Sequence, residues 1–265
     1  MSTPVDLVAL LAVGVLAGIV GTVASLASVV SYPALLALGL PPVSANVTNT
    51  VALMFTAVGA AAGSRPELAG QGRRVLRLGL VTAAGGGTGA AVLLLTPAQG
   101  FEYAAPALIA AGSLVILWRP VPAGSPASFR AGPDSPVGPP GLAEENGGWL
   151  SRAAVFAVAV YIGYFGAAGG ILILAVLIRM LRQSLARTNA LKNVISGLAN
   201  AVAGVGFAIF GPVRWAAALP LAAGFLTGGW IGPSLVRRMP AGRLRVLVGL
   251  CGLAVAIRLG VSAYW

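Results

Sequence analysis

The chain has 265 residues, of which 58% are hydrophobic and 9% are charged, and its formal net charge is +11. Soluble domains carry about 25% charged residues, so this composition predicts an integral membrane protein. Long unbroken apolar runs indicate transmembrane helices and not the alternating strands of a membrane β-barrel. The arginines are scattered over short loops, which argues against nucleic acid as a partner and is typical of cytoplasmic loops.

The chain contains no histidine and a single cysteine, Cys251, which lies in the last apolar segment. Histidine catalysis, histidine metal ligation and an intrachain disulfide are therefore excluded. The six acidic residues fall in loops or at the ends of apolar segments, and no nucleophile stands beside a base. We therefore expect no enzyme activity, no metal and no cofactor.

Two apolar segments open the chain, a helix over 5–24 and a shorter one over 26–39 that ends at Gly39-Leu40-Pro41-Pro42. A 14-residue helix is about 21 Å long, less than the ~30 Å hydrocarbon core, so the second segment is expected to be a partial span. Ser44 is placed to cap the next helix, 45–64. Segments 75–96 and 101–118 complete a first transmembrane half, residues 1–118.

Residues 119–150 are rich in Pro, Gly and Ser and are expected to form a linker. A second transmembrane half, 151–265, follows the same plan as the first. Its predicted segments are 151–167, a short 170–183, 188–210, 214–236 and 244–263.

The two halves resemble each other at a constant offset. Asn46 and Asn189 are 143 residues apart, as are Gly85 and Gly228. The order of the elements agrees as well. We therefore predict an internal duplication.

The arginines decide how the two repeats are oriented. If each short segment crosses back, nearly all loop arginines lie on one side, which satisfies the positive-inside rule. Five segments per half then make the repeats inverted, with eight full spans and two short or broken helices. The predicted fold is all-α, with a retained first helix, extracytoplasmic termini and a cytoplasmic linker.

Polar clusters open the third segment of each half. Asn189, Lys192 and Asn193 stand at i, i+3 and i+4, so a helix places them on one face, which Ser196 and Asn200 extend. Asn46, Asn49 and Thr50 have the same spacing, and Thr48 lies beside them. Polar groups within lipid are costly and mark a pathway or a site.

The chemistry of these clusters favours an anion. Inversion would bring the N-termini of helices 45–64 and 188–210 towards the midplane, where free N–H groups and Lys192 attract negative charge. We predict that Asn46, Thr48 and Asn49 face Asn189, Lys192 and Asn193 across a polar cavity, with Ser25 and Ser28 nearby. Two alternatives stay open: interhelical hydrogen bonding by the asparagines, and a loop-edge position for Lys192.

A family resemblance rests on these same residues. The pattern Gly14…Gly18-x-x-Gly21…Pro33-x-Leu35…Gly39-Leu40-Pro41-Pro42…Ala45-Asn46-x-Thr48 resembles the first-half signature of the TauE/SafE family of sulfite exporters. The second half, with Gly169-Gly170, Asn189-x-x-Lys192-Asn193 and Gly228-Gly229-x-x-Gly232, is similar to that family too. One departure is the run 22–28, where serines stand in place of the usual glycines.

The resemblance implies a secondary transporter in the bacterial inner membrane that exports sulfite, sulfonates or sulfoacetate. It adds Gly169 and Gly170 to the candidate site. An anion channel, or a permease for another small anion, is the alternative, and a homodimer stays open. Because no acidic residue lies mid-segment, we expect export to be driven largely by the substrate gradient and the membrane potential, and sodium bound by backbone carbonyls at the broken helices stays open as an alternative.

Overall fold

The structure, a computed structural model, describes residues 4–101, 103, 107, 148–166, 169–181 and 183–236, and within these ranges it contains helices and no strand. The helices that it bounds are α1 (Pro4–Ala24), α2 (Ala27–Ala37), α3 (Pro42–Gly63), α4 (Arg65–Leu68), α5 (Gly72–Leu95), α6 (Trp149–Tyr164), α7 (Gly169–Met180), α8 (Leu185–Phe210) and α9 (Trp215–Val236). The all-helical prediction is confirmed for this part of the chain.

Five of the helices in the described ranges, α1, α3, α5, α8 and α9, are long and apolar enough to cross a membrane. Eight full spans were predicted. Of the other three, α6 has only 16 residues, and segments 101–118 and 244–263 lie largely outside the described residues. Most of the linker 119–150 lies outside them as well.

The polar clusters lie deeper in their helices than the sequence predicts. Helix α3 begins at Pro42, so Ser44 lies inside its first turn and does not cap it. Proline suits the first helical position because its missing N–H has no partner there in any case. Helix α8 begins at Leu185 and is capped by Ser184, whose hydroxyl accepts a hydrogen bond from the amide of Arg187 at 3.4 Å.

The short second segment of each half follows a sharp break. Helix α2 has 11 residues and α7 has 12, so each is about 16–18 Å long and too short to span the hydrocarbon core. Left-handed backbone occurs at both breaks, with φ of 62° at Ser25 and 75° at Gly166. Each half therefore contains an interrupted helix, as predicted.

Six helices of the described part of the chain form two groups of three. Helices α1, α3 and α9 pack together and run in the same direction, and so do α5, α6 and α8. The two groups meet where α3 crosses α8. There Gly197 lies against Ala57 and Gly204 against Val51, so these two helices are antiparallel.

Each group takes one helix from the other half of the chain. Helix α5 packs on α6 and α8, whereas α9 packs on α1 and α3. Glycines allow this close approach. A Cβ on Gly86 would come within 2.7 Å of the Ala199 Cα in α8, and a Cβ on Gly229 within 2.5 Å of the Thr56 carbonyl oxygen in α3.

One end of the bundle is rich in arginine. The end of α3, helix α4 and the start of α5 lie there beside the α7–α8 connection, where Arg74 donates to the Gln183 side chain at 2.9 Å and Arg187 to the Ala69 carbonyl at 2.7 Å. Arg214, between α8 and α9, lies at the opposite end. The described arginines at the rich end are Arg65, Arg73, Arg74, Arg77, Arg152, Arg179 and Arg187.

Candidate functional site

A cavity of about 70 Å³ lies where α3 crosses α8 and where the two helix breaks come together. The breaks contribute Ser25 and Ser28 from one half and Gly166 and Gly170 from the other. One water needs about 10–15 Å³ of cavity volume, so this cavity is large enough for a few waters or a small anion. The polar side chains that α3 and α8 add to its wall are Thr56, Lys192, Asn193, Ser196 and Asn200.

Lys192 is the ionisable residue of this cavity wall. Its side chain is 2% exposed, so it does not occupy the loop-edge position that the sequence left open. Its side-chain nitrogen donates a hydrogen bond to the Ser25 hydroxyl at the break between α1 and α2. The acidic residues in the described ranges, Asp6 and Glu67, do not line the cavity. Because burial of a lone charge is costly, an anion bound in the cavity would stabilise the ammonium form of Lys192.

Three further polar atoms at the cavity lack a partner. The Thr56 hydroxyl, the Asn193 side-chain amide nitrogen and the Ser196 hydroxyl are buried without a hydrogen bond. Leaving a buried donor unpaired costs about 1–3 kcal/mol. All three can donate hydrogen bonds, so together with Lys192 they can surround an oxyanion.

Two helix N-termini border the cavity. They are those of α2, at Ala27, and α7, at Gly170, and not those of α3 and α8 that the sequence predicted. The reason is that α3 and α8 cross well inside their lengths, where Ala57 meets Gly197, so their first turns lie away from the crossing. An N-terminus carries partial positive charge and free N–H groups, which adds to the preference for an anion.

The sequence profile of the sulfite exporter TauE/SafE family matches residues 10–259 of the chain. The chain belongs to the TauE/SafE family. The protein is thus a multi-pass membrane transporter of sulfite-type anions. Comparisons with curated proteins and with solved structures found no match.

Half of the residues predicted for the site line the cavity of this TauE/SafE protein. They are Ser25, Ser28, Gly170, Lys192 and Asn193. The structure brings them together from α2, α7, α8 and the α1–α2 break, segments that are far apart in sequence. The other five, Asn46, Thr48, Asn49, Asn189 and Gly169, lie outside the cavity wall.

Asn46 and Asn189 join the two halves of the TauE/SafE chain. The Asn46 amide donates to the Tyr164 carbonyl at the end of α6, at 3.0 Å, and the Asn189 amide donates to the Thr22 carbonyl near the end of α1, at 3.1 Å. Carbonyl groups in a last helical turn have no partner within the helix. Both asparagines thus satisfy the opposite half's helix break, which is the interhelical role that the sequence left open.

The remaining three predicted residues make contacts outside the cavity wall. Asn49 accepts a hydrogen bond from Ser31 at 2.6 Å and donates to Ser28 at 3.2 Å, so it ties α3 to α2 behind the cavity. Thr48 accepts from the Arg214 amide at 3.0 Å, at the α8–α9 connection. Gly169 packs against the side chain of Ile162.

Thr56 is not identified from the sequence, because a threonine in an apolar helix usually bonds to its own backbone. The signal that could have found it is its position seven residues after Asn49, which places both on one helix face. Ser196 and Asn200 were recognised as an extension of the polar face of α8, although they were not among the predicted site residues.

Proposed function

We propose that this protein exports small sulfur oxyanions, sulfite first among them, and holds one anion at a time in the cavity at the α3–α8 crossing. The observation that carries the proposal is the buried ammonium group of Lys192 among three unpartnered donors, on Thr56, Asn193 and Ser196. Desolvated donors fixed in place bind an oxyanion strongly, because charge-assisted hydrogen bonds are about twice as strong as neutral ones. Sulfonates and sulfoacetate are the other substrates to test.

The transport mechanism in this proposal is alternating access in a fold built from two inverted repeats. Two observations support the duplication. Gly86 contacts Ala199 and Gly229 contacts Thr56, and the residues of the second contact stand 143 positions from those of the first. The antiparallel crossing of α3 and α8 supports the inversion. Rocking of the two helix groups about this crossing would expose the cavity to one side of the membrane and then to the other.

The orientation in this proposal places the arginine-rich end on the cytoplasmic side of a bacterial inner membrane. The positive-inside rule favours that side for short arginine-bearing loops. The linker 119–150 would then be cytoplasmic and both termini extracytoplasmic. Reporter fusions within the linker and after Trp265 test this orientation. A cytoplasmic signal from both would contradict it.

The driving force in this proposal is the substrate gradient together with the membrane potential. Neither Asp6 nor Glu67 is at the cavity, so no carboxylate of the described ranges is placed to carry a coupled proton. A potential that is negative inside favours outward movement of an anion by about 2.3 kcal/mol per charge per 100 mV. Flux that ignores an imposed potential and follows an imposed pH gradient would contradict this part of the proposal. That test uses a sulfonate, because sulfite itself changes protonation state with pH.

The decisive experiment measures radiolabelled sulfite flux with the purified chain in proteoliposomes. We expect flux that saturates with sulfite concentration and accelerates when unlabelled sulfite is present on the opposite side. Flux that rises linearly, without counterflow, would instead indicate an anion channel. A parallel screen of thiosulfate, sulfate, taurine and sulfoacetate identifies a different substrate if sulfite gives no flux.

A further inference from the structure

Ser25 combines two unusual properties at the break between α1 and α2. It is the one non-glycine residue of the described ranges with left-handed backbone, at a φ of 62°. Its hydroxyl accepts the hydrogen bond from the Lys192 ammonium group. The break in the other half has Gly166 in the same backbone region, with a φ of 75°, where a glycine adopts that conformation without strain.

Left-handed backbone is unfavourable for serine, because its Cβ crowds the backbone. Strain of this kind persists at functional sites when the surroundings hold the residue in place. A glycine at position 25 would relieve the strain but would remove the hydroxyl. The side chain at this position is therefore the feature that needs an explanation.

The surroundings fix the direction of the Ser25 side chain. A Cβ on Gly170, at the start of α7, would come within 2.8 Å of the Ser25 Cβ, so the two broken helices touch at this point. The Ser25 amide also donates to the Gly21 carbonyl at 2.9 Å, which ties the break to the last turn of α1. The hydroxyl consequently has little freedom, and it faces Lys192 across the cavity.

Lys192 needs such an anchor, because a lysine side chain is long and flexible. Its ammonium group has three donors, so it can bond to Ser25 and still offer two donors to an anion. The unpartnered groups of Thr56, Asn193 and Ser196 line the same cavity. Holding the ammonium group in place before the anion arrives lowers the entropy lost on binding.

We propose that Ser25 is a positioning residue for the substrate: its hydroxyl, fixed by the strained break, holds the ammonium group of Lys192 towards the anion and thereby sets the substrate affinity. The proposal rests on the proposed function, since it assumes that the anion binds in this cavity. Ser25 acts through Lys192 and leaves the rate of the conformational change to other parts of the molecule.

Two substitutions distinguish the effect of the Ser25 hydroxyl from the effect of the backbone strain. Ser25→Gly relieves the strain and removes the hydroxyl, whereas Ser25→Ala keeps the strain and removes the hydroxyl. We expect both variants to raise the KM for sulfite flux about tenfold, the lower range for a lost hydrogen bond to a charged group. We expect kcat to stay within about twofold of wild type, and Ser25→Gly to melt at a higher temperature than Ser25→Ala. Ser64→Gly, at the α3–α4 connection away from the cavity, is the matched control.

A second readout does not depend on transport. Lys192 is the single lysine of the chain, so protein labelled with ¹³C-lysine gives one lysine signal in an NMR spectrum. We expect Ser25→Gly to shift or broaden this signal, Ser64→Gly to leave it unchanged, and sulfite to shift it in the wild type. A wild-type signal that ignores saturating sulfite would contradict the proposed function. A sulfite-sensitive signal with the same sulfite affinity in wild type and Ser25→Gly would overturn the role of Ser25 alone.

Discussion

The polar cluster of the first half and that of the second half, 143 residues apart, have the same spacing but only partly the same role. Asn46 and Asn189 act alike, because each donates to a carbonyl at the helix break of the opposite half. Asn49 and Lys192 differ. Asn49 is held by two serines of its own half, whereas Lys192 crosses to Ser25 and lines the cavity.

In the proposed function, this contrast separates the groups that hold the scaffold from the group that meets the substrate. Carboxamides remain at both positions that join the halves, where a donor must reach a free carbonyl. The second half has Lys192 at the position where the first half has Asn49. Only one wall of the cavity therefore carries a lysine. In the proposed mechanism, one ammonium group near the middle of the bundle can bind an anion that enters from either side of the membrane.

The largest expected effect is the loss of flux when Lys192 is replaced by a neutral residue, so that it is uncharged like its counterpart Asn49. Lys192→Met removes the charge while keeping an unbranched side chain, and should lower sulfite kcat/KM by about 30-fold or more, since losing one partner of a buried charge pair costs about 2–5 kcal/mol. Thermal stability should stay level or rise, because the substitution removes a buried charge. Proteoliposome flux and melting in detergent measure the two effects.

Lys192→Arg, which keeps the positive charge, is the control for this substitution and should retain part of the flux. Flux of Lys192→Met within twofold of wild type would show that the contrast between Asn49 and Lys192 has no bearing on transport.

Glycine packing tests whether the two helix groups are equivalent. Gly86→Ala in α5 and Gly229→Ala in α9 each force a methyl group into the backbone of a neighbouring helix. We expect each to destabilise the protein by about 1–3 kcal/mol, and by similar amounts. Gly206→Ala, where an added Cβ meets nothing within 4 Å, should stabilise by up to about 1 kcal/mol. Clearly different losses of stability for Gly86→Ala and Gly229→Ala would show that the two helix groups are not equivalent.

The asparagine pair offers a smaller effect. Asn46→Ala and Asn189→Ala should each cost about 0.6–1.7 kcal/mol, the range for hydrogen bonds between membrane helices, with nearly equal values. Reversible unfolding in detergent micelles measures both. Thr88→Ala is the control, since Thr88 is exposed and bonds only to the Ala84 carbonyl of its own helix at 2.9 Å. A lower free energy of unfolding for one asparagine variant and not for the other would show that only one of these two hydrogen bonds between the halves stabilises the protein.

The smallest effect concerns two threonines on α3. Thr56→Val removes an unpartnered hydroxyl at the cavity and should raise the KM for sulfite about two- to tenfold, the range for one neutral hydrogen bond. Stability should be unchanged or higher. Thr50→Val removes a buried hydroxyl that bonds to the Asn46 carbonyl at 2.9 Å, so it should leave the KM unchanged. A rise in KM for Thr50→Val and not for Thr56→Val would contradict the assignment of the cavity.

The sequence predicted most of the helix plan, because apolar runs and Pro-Gly boundaries carry that information. Both interrupted helices were expected from their length alone. The starts of α3 and α8 were placed three residues late in each case, because Ser44 and Arg187 were taken to lie outside the helices. Prolines at 41 and 42 and the serine at 184 were the signals to weigh more heavily.

The candidate site was harder to predict than the fold. Periodicity showed which residues share a helix face, but not which neighbour that face meets. That neighbour depends on the crossing of α3 and α8, which is fixed by close contacts such as that between Gly197 and Ala57. The same limit explains why Asn46 was assigned to the cavity although it bonds to the Tyr164 carbonyl.

The exchange of α5 and α9 between the two helix groups has a consequence for biogenesis. Gly14 of α1 packs against Gly224 of α9, so this contact joins residues roughly 200 positions apart in the chain. At about 5–20 residues per second, the ribosome needs roughly 10–40 s to supply the second partner. Until then the glycine faces of α1 and α3 lie against lipid, or against whatever the insertion machinery provides. Completion of the first helix group therefore waits for nearly the whole chain, and the halves cannot mature one after the other.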